Sequence, residues 1–304
     1  MKMNVSTMAE VPPVNRSIGA ILLDSGQLKP EDAERILRLQ KEENLRFGEA
    51  AIRLGLLTEA DVQYALSRQY SYRYLRVASD KKPIADEVVA AYQPFSPPVE
   101  QMRAIRSQMM LRWYDKDEQR QVVSVVGTER GEGRSYVAAN LAVVFSQLGE
   151  RTLLIDADMR NPRQHDLFKL KNTVGLSTLL AGRVRDEAII RITDLTSLYV
   201  LSAGPVPPNP LELLSRGAFE EFLARARSMF DLVIVDTPAL SVGEDAAIIA
   251  TRTGAALAVA RSATTRVASF ADMVQGLMYN GVAVVGSILN DVPAPKQSAP
   301  RASS

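Results

Sequence analysis

Residues 122–149 read VVSVVGTERGEGRSYVAANLAVVFSQLG. An apolar run rich in Val leads into a loop containing Gly131 and Gly133, and a helical pattern follows. That order is the one a phosphate-binding loop requires. Glycines let backbone N–H groups close on phosphate oxygens, and the helix N-terminus adds the positive end of its dipole. Ser135 falls where an Mg²⁺-binding hydroxyl belongs, while Arg134 stands in place of the usual Lys. A guanidinium is longer, planar and forked, so phosphate binding is compatible with it and transfer chemistry is expected to be slower.

Outward from the loop, apolar runs alternate with helical patterns: TLLID, LYVLS, LELLSRGAFEEFLARARSMF, LVIVD, AALAVA, FADMVQGLMYN and VAVVGSIL. Runs nearly continuous in Val, Ile and Leu suit strands buried on both faces of a parallel sheet, which predicts an α/β doubly wound domain over 99–292. Asp156 and Asp158 end one strand pattern, beside Arg160, and Asp236 ends another. In an open parallel sheet these strand ends converge on the crevice that holds the phosphate loop. Three carboxylates and the Ser135 hydroxyl are read as an Mg²⁺ shell, because without a cation they repel one another. Asn209, Pro210 and Glu212 are read as helix architecture: cap, first helical residue and capping box.

Toward the N-terminus, residues 18–40 and 47–69 superimpose without a gap, with Gly19/Gly48, Gly26/Gly55, Leu28/Leu57 and Gln40/Gln69 in register. Each copy reads as a short helix stopped by Gly, then a second helix, and Thr58 precedes Asp61 at capping-box distance. The domain organisation expected is a flexible 1–14, a mainly helical 15–76, a linker over 77–98 marked by Pro83, Pro94, Pro97 and Pro98, the α/β domain, and a disordered tail over 293–304. Tyr70, Tyr72 and Tyr74 alternate with Ser71 and Arg73, a strand pattern with one aromatic face.

Composition narrows the chemistry. The 304 residues include no Cys and a single His165, which removes disulfides, Cys-ligated zinc, iron–sulfur clusters and thiol catalysis. A bound metal is expected among oxygens, which favours Mg²⁺. With 36 Lys+Arg against 35 Asp+Glu, no chain-wide field attracts nucleic acid or an acidic membrane. No apolar run approaches the roughly 20 residues of a membrane span, and the N-terminus has no signal-peptide core, so the expected location is cytoplasmic.

The segments GTERGEGRS, LLIDADMR, NPRQHDLF, GLSTLLAG, GPVPPNPLELL, LVIVDTP and GSILN together resemble the bacterial tyrosine kinases of the polysaccharide co-polymerase system, of the exopolysaccharide chain-length-determinant type. The resemblance covers about Glu100 to Pro293 and implies a P-loop, MinD/ParA-like fold, ATP with Mg²⁺, and γ-phosphate transfer to tyrosine. By motif position, Gly131, Glu132, Gly133, Arg134, Ser135 and Tyr136 hold the nucleotide, and Asn290 meets the adenine. Ser135, Asp156, Asp158 and Asp236 attend the metal, and the base is Asp156 or Asp158. Arg134 and Arg160 are the groups for developing phosphate charge, with an ion pair to a neighbouring Asp as the alternative for Arg160. His165 is read as a loop-ordering contact.

Glu100, Arg103 and Arg106 match the ExxRxxR element through which such subunits form homo-oligomeric rings; a solvated helix face is the other reading. The implied partners are a separate membrane chain-length determinant (Wzz-like), which would hold the kinase at the inner membrane, and a cognate tyrosine phosphatase. The sequence after Asn290 contains no Tyr, so acceptors lie elsewhere, and Tyr70, Tyr72 and Tyr74 are a cluster to consider beside their reading as a strand face. The N-terminal repeats resemble the MshEN domain of type II secretion and pilus ATPases, some of which bind cyclic di-GMP. Arg16, Gly19, Arg46, Gly48 and Gln69 are the matching positions, although Ser17 stands where the first copy should carry Arg. A small docking module is the competing view. Two other classes remain: a nucleotide-binding regulatory pseudokinase, motivated by Arg134, and a positioning ATPase, disfavoured because Glu129 stands where that group carries a second Lys.

Overall fold

The structure is a computed structural model that describes residues 17–69, 75, 82–115, 120–193, 195 and 197–291. Arg16, the cluster Tyr70, Tyr72 and Tyr74 with its expected strand, and the two terminal segments lie outside the described residues. Contact density divides the chain into Met1–Arg76 and Val77–Ser304.

In the first unit the repeat becomes four helices, α1 (Ile18–Asp24), α2 (Pro30–Glu43), α3 (Phe47–Arg53) and α4 (Glu59–Gln69). Ser17, the residue that departs from the repeat motif, caps α1 by accepting from Ala20 N. Gly26 and Gly55 take φ of 70° and 66°, where a side chain would be strained, and so end the first helix of each copy. The Thr58–Asp61 box forms, with Asp61 Oδ2 accepting from Thr58 N at 3.0 Å. Equivalent positions share one core: Leu22 with Ala51, Leu28 with Leu57, and Ile36 with Ala65 are all buried.

The second unit opens with α5 (Val89–Tyr92) and α6 (Pro97–Arg112). It continues β1 (Val122–Gly127), α7 (Arg134–Ser146), β2 (Thr152–Asp156), α8 (Gln164–Leu167), α9 (Leu176–Leu180), β3 (Ile190–Arg191), β4 (Leu198–Leu201), α10 (Pro210–Ser215) and α11 (Gly217–Met229). Then come β5 (Leu232–Asp236), α12 (Asp245–Thr253), β6 (Ala255–Arg261), α13 (Val267–Tyr279) and β7 (Ala283–Asn290). The seven strands lie in the order β3-β4-β2-β5-β1-β6-β7. All neighbours are parallel except the two-residue β3, which pairs antiparallel with β4. Helices cover both faces, as the apolar runs require. Alternate residues Leu153, Ile155, Val233 and Val235 pack against Leu214, Phe219, Phe222 and Leu223, while Val126, Ala256 and Ala258 pack against Met273 and Leu277.

Three sequence expectations change here. The stretch read as linker is, over 82–98, built into the second unit: Ala90 N donates to Asn140 Oδ1 at 2.9 Å, Gln147 Nε2 donates to Ala90 O, and Ala85 N donates to Leu167 O. Pro83 lies in a bend and Pro94 in a turn, while Pro97 and Pro98 open α6. Asn209 makes no side-chain cap to α10, although Pro210 does occupy the first turn. The long helical pattern before β5 breaks at Arg216, whose φ/ψ of −74°/155° is extended and ends α10 before α11 begins.

On α6, Glu100 accepts from Arg103 NH1, and Arg106 turns inward, donating to Val144 O of α7 at 2.7 Å. Glu100 and Arg103 pair along α6, whereas Arg106 ties α6 to α7.

Candidate nucleotide and phosphoryl-transfer site

The loop between β1 and α7 depends on Gly131 and Gly133, with φ of 81° and 96°. At Gly133 space is a second constraint, since an added Cβ would lie 2.2 Å from Asn290 Nδ2. The α7 ladder begins with Val137 N donating to Gly133 O at 2.9 Å, so the amides of Arg134, Ser135 and Tyr136 have no intrahelical acceptor. With most of α7 buried, this helix end, a candidate anion site, is held on a rigid element.

Arg134 is buried, and its guanidinium is committed to the loop and β5. Nε donates to Thr237 O at 3.1 Å and NH1 to Glu129 O at 2.5 Å, and NH1 lies 3.6 Å from Glu132 Oε2. The expected phosphate-facing cation is therefore a brace in this structure. Glu132, fully buried, accepts from the hydroxyls of Thr128 and Thr265, each at 2.6 Å. Asn290 Nδ2 donates to Glu132 O at 2.9 Å and Arg261 NH1 donates to Gly131 O at 3.0 Å. Arg261 and Asn290 are register partners on β6 and β7, so two strand ends clamp the loop from outside. Removing the Thr265 hydroxyl without changing shape, as in Thr265→Val, is expected to destabilise the fold by about 1–3 kcal/mol and to weaken ATP binding. Thr265→Ser should keep the hydroxyl and most of the affinity. Chemical denaturation and nucleotide titration measure both, and equal affinities for Ser and Val would refute the role of the hydroxyl.

Parallel register sets Asp156 beside Asp236. Asp156 Oδ2 accepts from the amides of Arg163 and Gln164 at 2.9 and 2.8 Å, and Asp236 Oδ2 accepts from Gln164 Nε2 at 2.8 Å. Burial, reinforced by the charge of Asp236, pushes the Asp156 carboxyl well up. Burial also raises Asp236 to about 6, against hydrogen bonds from Gln164 and Ser135 and the charge of Arg134 that oppose the shift. Asp236 Oδ1 is buried without a hydrogen-bond partner. An orphaned carboxylate oxygen beside Ser135 and a second buried carboxylate fits a hard divalent cation.

The three-carboxylate shell expected from sequence is nevertheless not formed. Among the described residues no group of three acidic or histidine side chains is placed to hold an ion alone. Asp158 Oδ1 is instead turned onto its own loop, accepting from Arg160 N and Asn161 N at 3.2 and 2.8 Å. The residues that could hold Mg²⁺ are Ser135 and Asp236, with Asp156 as the register partner of Asp236, a small set that would suit an ion keeping waters and phosphate oxygens as ligands.

Arg160 is engaged elsewhere. It forms a forked pair with Asp245 at the start of α12, Nε to Oδ2 at 3.1 Å and NH2 to Oδ1 at 3.2 Å, not with Asp156 or Asp158. His165 Nε2 lies 3.3 Å from Asp166 Oδ1, outside the carboxylate cluster. Gln164, Thr265, Arg261 and Asp245 were not singled out in the sequence. Only Gln164 carried a local signal, its place within NPRQHDLF. In the first unit a cavity of about 510 Å³ is lined by Gly19, Gln40, Phe47 and Gln69 among others, but not by Arg46 or Gly48. Gly48 has no free space, since a Cβ there would lie 2.6 Å from Val62 Cγ1.

No protein-family model matches the chain. Tyrosine-protein kinase YwqD of Bacillus subtilis is 37% identical over 211 residues, covering 69% of this chain and 88% of YwqD. Tyrosine-protein kinase wzc of Salmonella typhi is 35% identical over 206 residues, of which this chain spans 28% of the length. The solved kinase domain of Escherichia coli tyrosine kinase ETK superimposes with a TM-score of 0.65 at 31% identity, over 76% of this chain and 88% of that one. The cell division ATPase MinD of Pyrococcus furiosus, at 24% identity and a TM-score of 0.51 over 60% of this chain and 76% of its own, shares the fold. With that identity over most of YwqD, and with the fold of the ETK kinase domain, the chain belongs to the bacterial tyrosine-protein kinases.

Proposed function

We propose that the chain binds ATP with Mg²⁺ and transfers the γ-phosphate to tyrosine, acting with a membrane chain-length determinant in exopolysaccharide polymerisation and export. The observation that carries this reading is the buried Asp156–Asp236 pair with its orphaned oxygen beside Ser135, at the mouth of a loop whose amides await an anion. Mg²⁺ bound with ATP would neutralise phosphate charge and polarise the transferring group. The chain's own residues then have separate tasks: the amides from Gly131 to Tyr136 hold phosphate, Ser135 and Asp236 hold the ion, and Arg134 keeps the loop closed on β5. Asp156, with its raised carboxyl, suits the acceptance of a phenolic proton. Glu100, Arg103 and Arg106 are the proposed ring contact.

A regulatory module that binds ATP without transfer is the second reading, favoured by one observation: Arg134 is spent on loop carbonyls. For the first unit, the cavity beside Gly19 and Gln69 supports a cyclic di-GMP site. One experiment separates these. The full chain is incubated with labelled ATP and Mg²⁺, with and without cyclic di-GMP, and phosphotyrosine is read. Label on tyrosine that EDTA abolishes is the expected result, with its rate altered by the dinucleotide. Tight ATP binding without label establishes the module, and a rate and a binding isotherm indifferent to cyclic di-GMP remove the dinucleotide site.

A further inference from the structure

A tyrosine kinase that labels its own kind needs an acceptor whose hydroxyl can leave its own surface. Six of the chain's nine tyrosines lie among the described residues, and five of these are held. The Tyr92 hydroxyl donates to Ile84 O at 2.7 Å and accepts from Ile84 N. Tyr114 donates to Glu150 Oε2, and the Tyr199 ring packs edge-on to Phe230 with centroids 5.1 Å apart. Tyr64 and Tyr136 are half-buried in α4 and α7. Tyr279 is different: it is 93% exposed, beside Met278 at 61%.

We propose that Tyr279 is a phosphorylation site, modified in trans by a second copy of this chain; the proposal rests on the kinase reading above. Topology requires the second copy. The phosphate loop follows the C-terminal end of β1, level with Val259 of β6. α13 runs back from that end, since β6 and β7 are parallel. Its 13 residues rise about 20 Å. It finishes near the start of both strands, where Ala283 N donates to Gly254 O. Tyr279 thus sits at the end of the sheet opposite its own nucleotide site. Its local chain suits entry into another copy's cleft. Tyr279 is the last residue of α13, capped by Asn280, and Gly281 at φ 78° turns the chain away, so presenting the ring requires unwinding only a terminal turn.

In the transfer, the Tyr279 phenolic oxygen bonds to the γ-phosphorus of ATP held by the other copy. The bond from that phosphorus to its bridging oxygen breaks, and ADP leaves with the electron pair. The phenolic proton passes to a carboxylate at the end of that copy's β2. The phosphate then places two negative charges at a helix C-terminus, opposing the dipole and loosening the last turn of α13.

The test mixes two full-length chains with Mg²⁺ and ATP. One is Tyr279→Phe with an intact site, and the other, ¹⁵N-labelled, is Asp236→Asn with Tyr279 intact. Tyr279 is the sole tyrosine of the tryptic peptide running from Val267 to Lys296, so mass spectrometry reads it directly. Phosphate on the heavy copy of that peptide is the expected result. Phosphotyrosine confined to other peptides, Tyr70, Tyr72 and Tyr74 included, overturns the site and leaves the kinase reading standing. Phosphate on that peptide when the intact chain is tethered apart from any second copy, at unchanged yield, overturns the trans assignment. No phosphotyrosine in any chain sinks both.

Discussion

Asp236→Asn is expected to lower tyrosine phosphorylation on the order of 10²–10³-fold, the size seen when one charge-stabilising group is removed from a preorganised site. The same substitution should stabilise the metal-free chain. Folding raises the Asp236 carboxyl from its ordinary 3.8 to about 6, chiefly through burial, and Asp156 shifts in the same direction with the charge of Asp236 as a second cause. A carboxyl raised on folding favours the folded state most below its unfolded value, and that contribution is lost as pH climbs through the folded one. The wild-type chain in EDTA should therefore lose on the order of 2–3 kcal/mol between about pH 4 and about pH 6 from this group. Asp236→Asn should flatten that slope, and Mg²⁺ with ATP should restore the wild type alone at neutral pH. Urea unfolding at several pH values, with and without Mg²⁺, measures it. Parallel stability curves for the two chains would contradict the assigned cause.

Arg134→Ala is expected to destabilise the second unit by about 3–5 kcal/mol, because it strands the buried Glu132 carboxylate without its nearest cation. For a unit of this size that corresponds to a fall in Tm of roughly 6–20 °C. Glu132 Oε2 is buried, has no hydrogen-bond partner and lies 3.6 Å from Arg134, so its compensation is electrostatic. Adding Glu132→Gln should recover about half of the loss or more, since the stranded charge is then gone. Arg134→Lys keeps the charge but not the fork, and should lie between wild type and Ala. A double variant no more stable than Arg134→Ala would show that the guanidinium acts through Thr237 O and Glu129 O alone.

The legible parts of this protein are those with a local period. Val122 to Gly127, Thr152 to Asp156 and Leu232 to Asp236 stand out because a strand buried on both faces needs an unbroken apolar run. The division between α12 and β6 is a conformation, Gly254 at φ 79°, which carries no period of its own. The segment 82–98 looked like a tether because its order comes from Asn140 and Gln147 on α7, some fifty residues away. Strand β3, two residues long, has no period to read.

Spacing along the chain is enough to give the α/β doubly wound class, the glycine loop and the placing of Asp156 and Asp236 at strand ends, whereas the order of the strands in the sheet belongs to the tertiary structure. Which charges meet is set by packing. Arg134 faces Glu132 and loop carbonyls, Arg160 grips Asp245 across 85 positions, Asp158 folds onto its own turn, and Tyr279 stands clear at the far end of the sheet. The reason is physical: periodicity is written in neighbouring residues, whereas Coulomb energy and desolvation depend on distance and burial, which the packed fold alone sets.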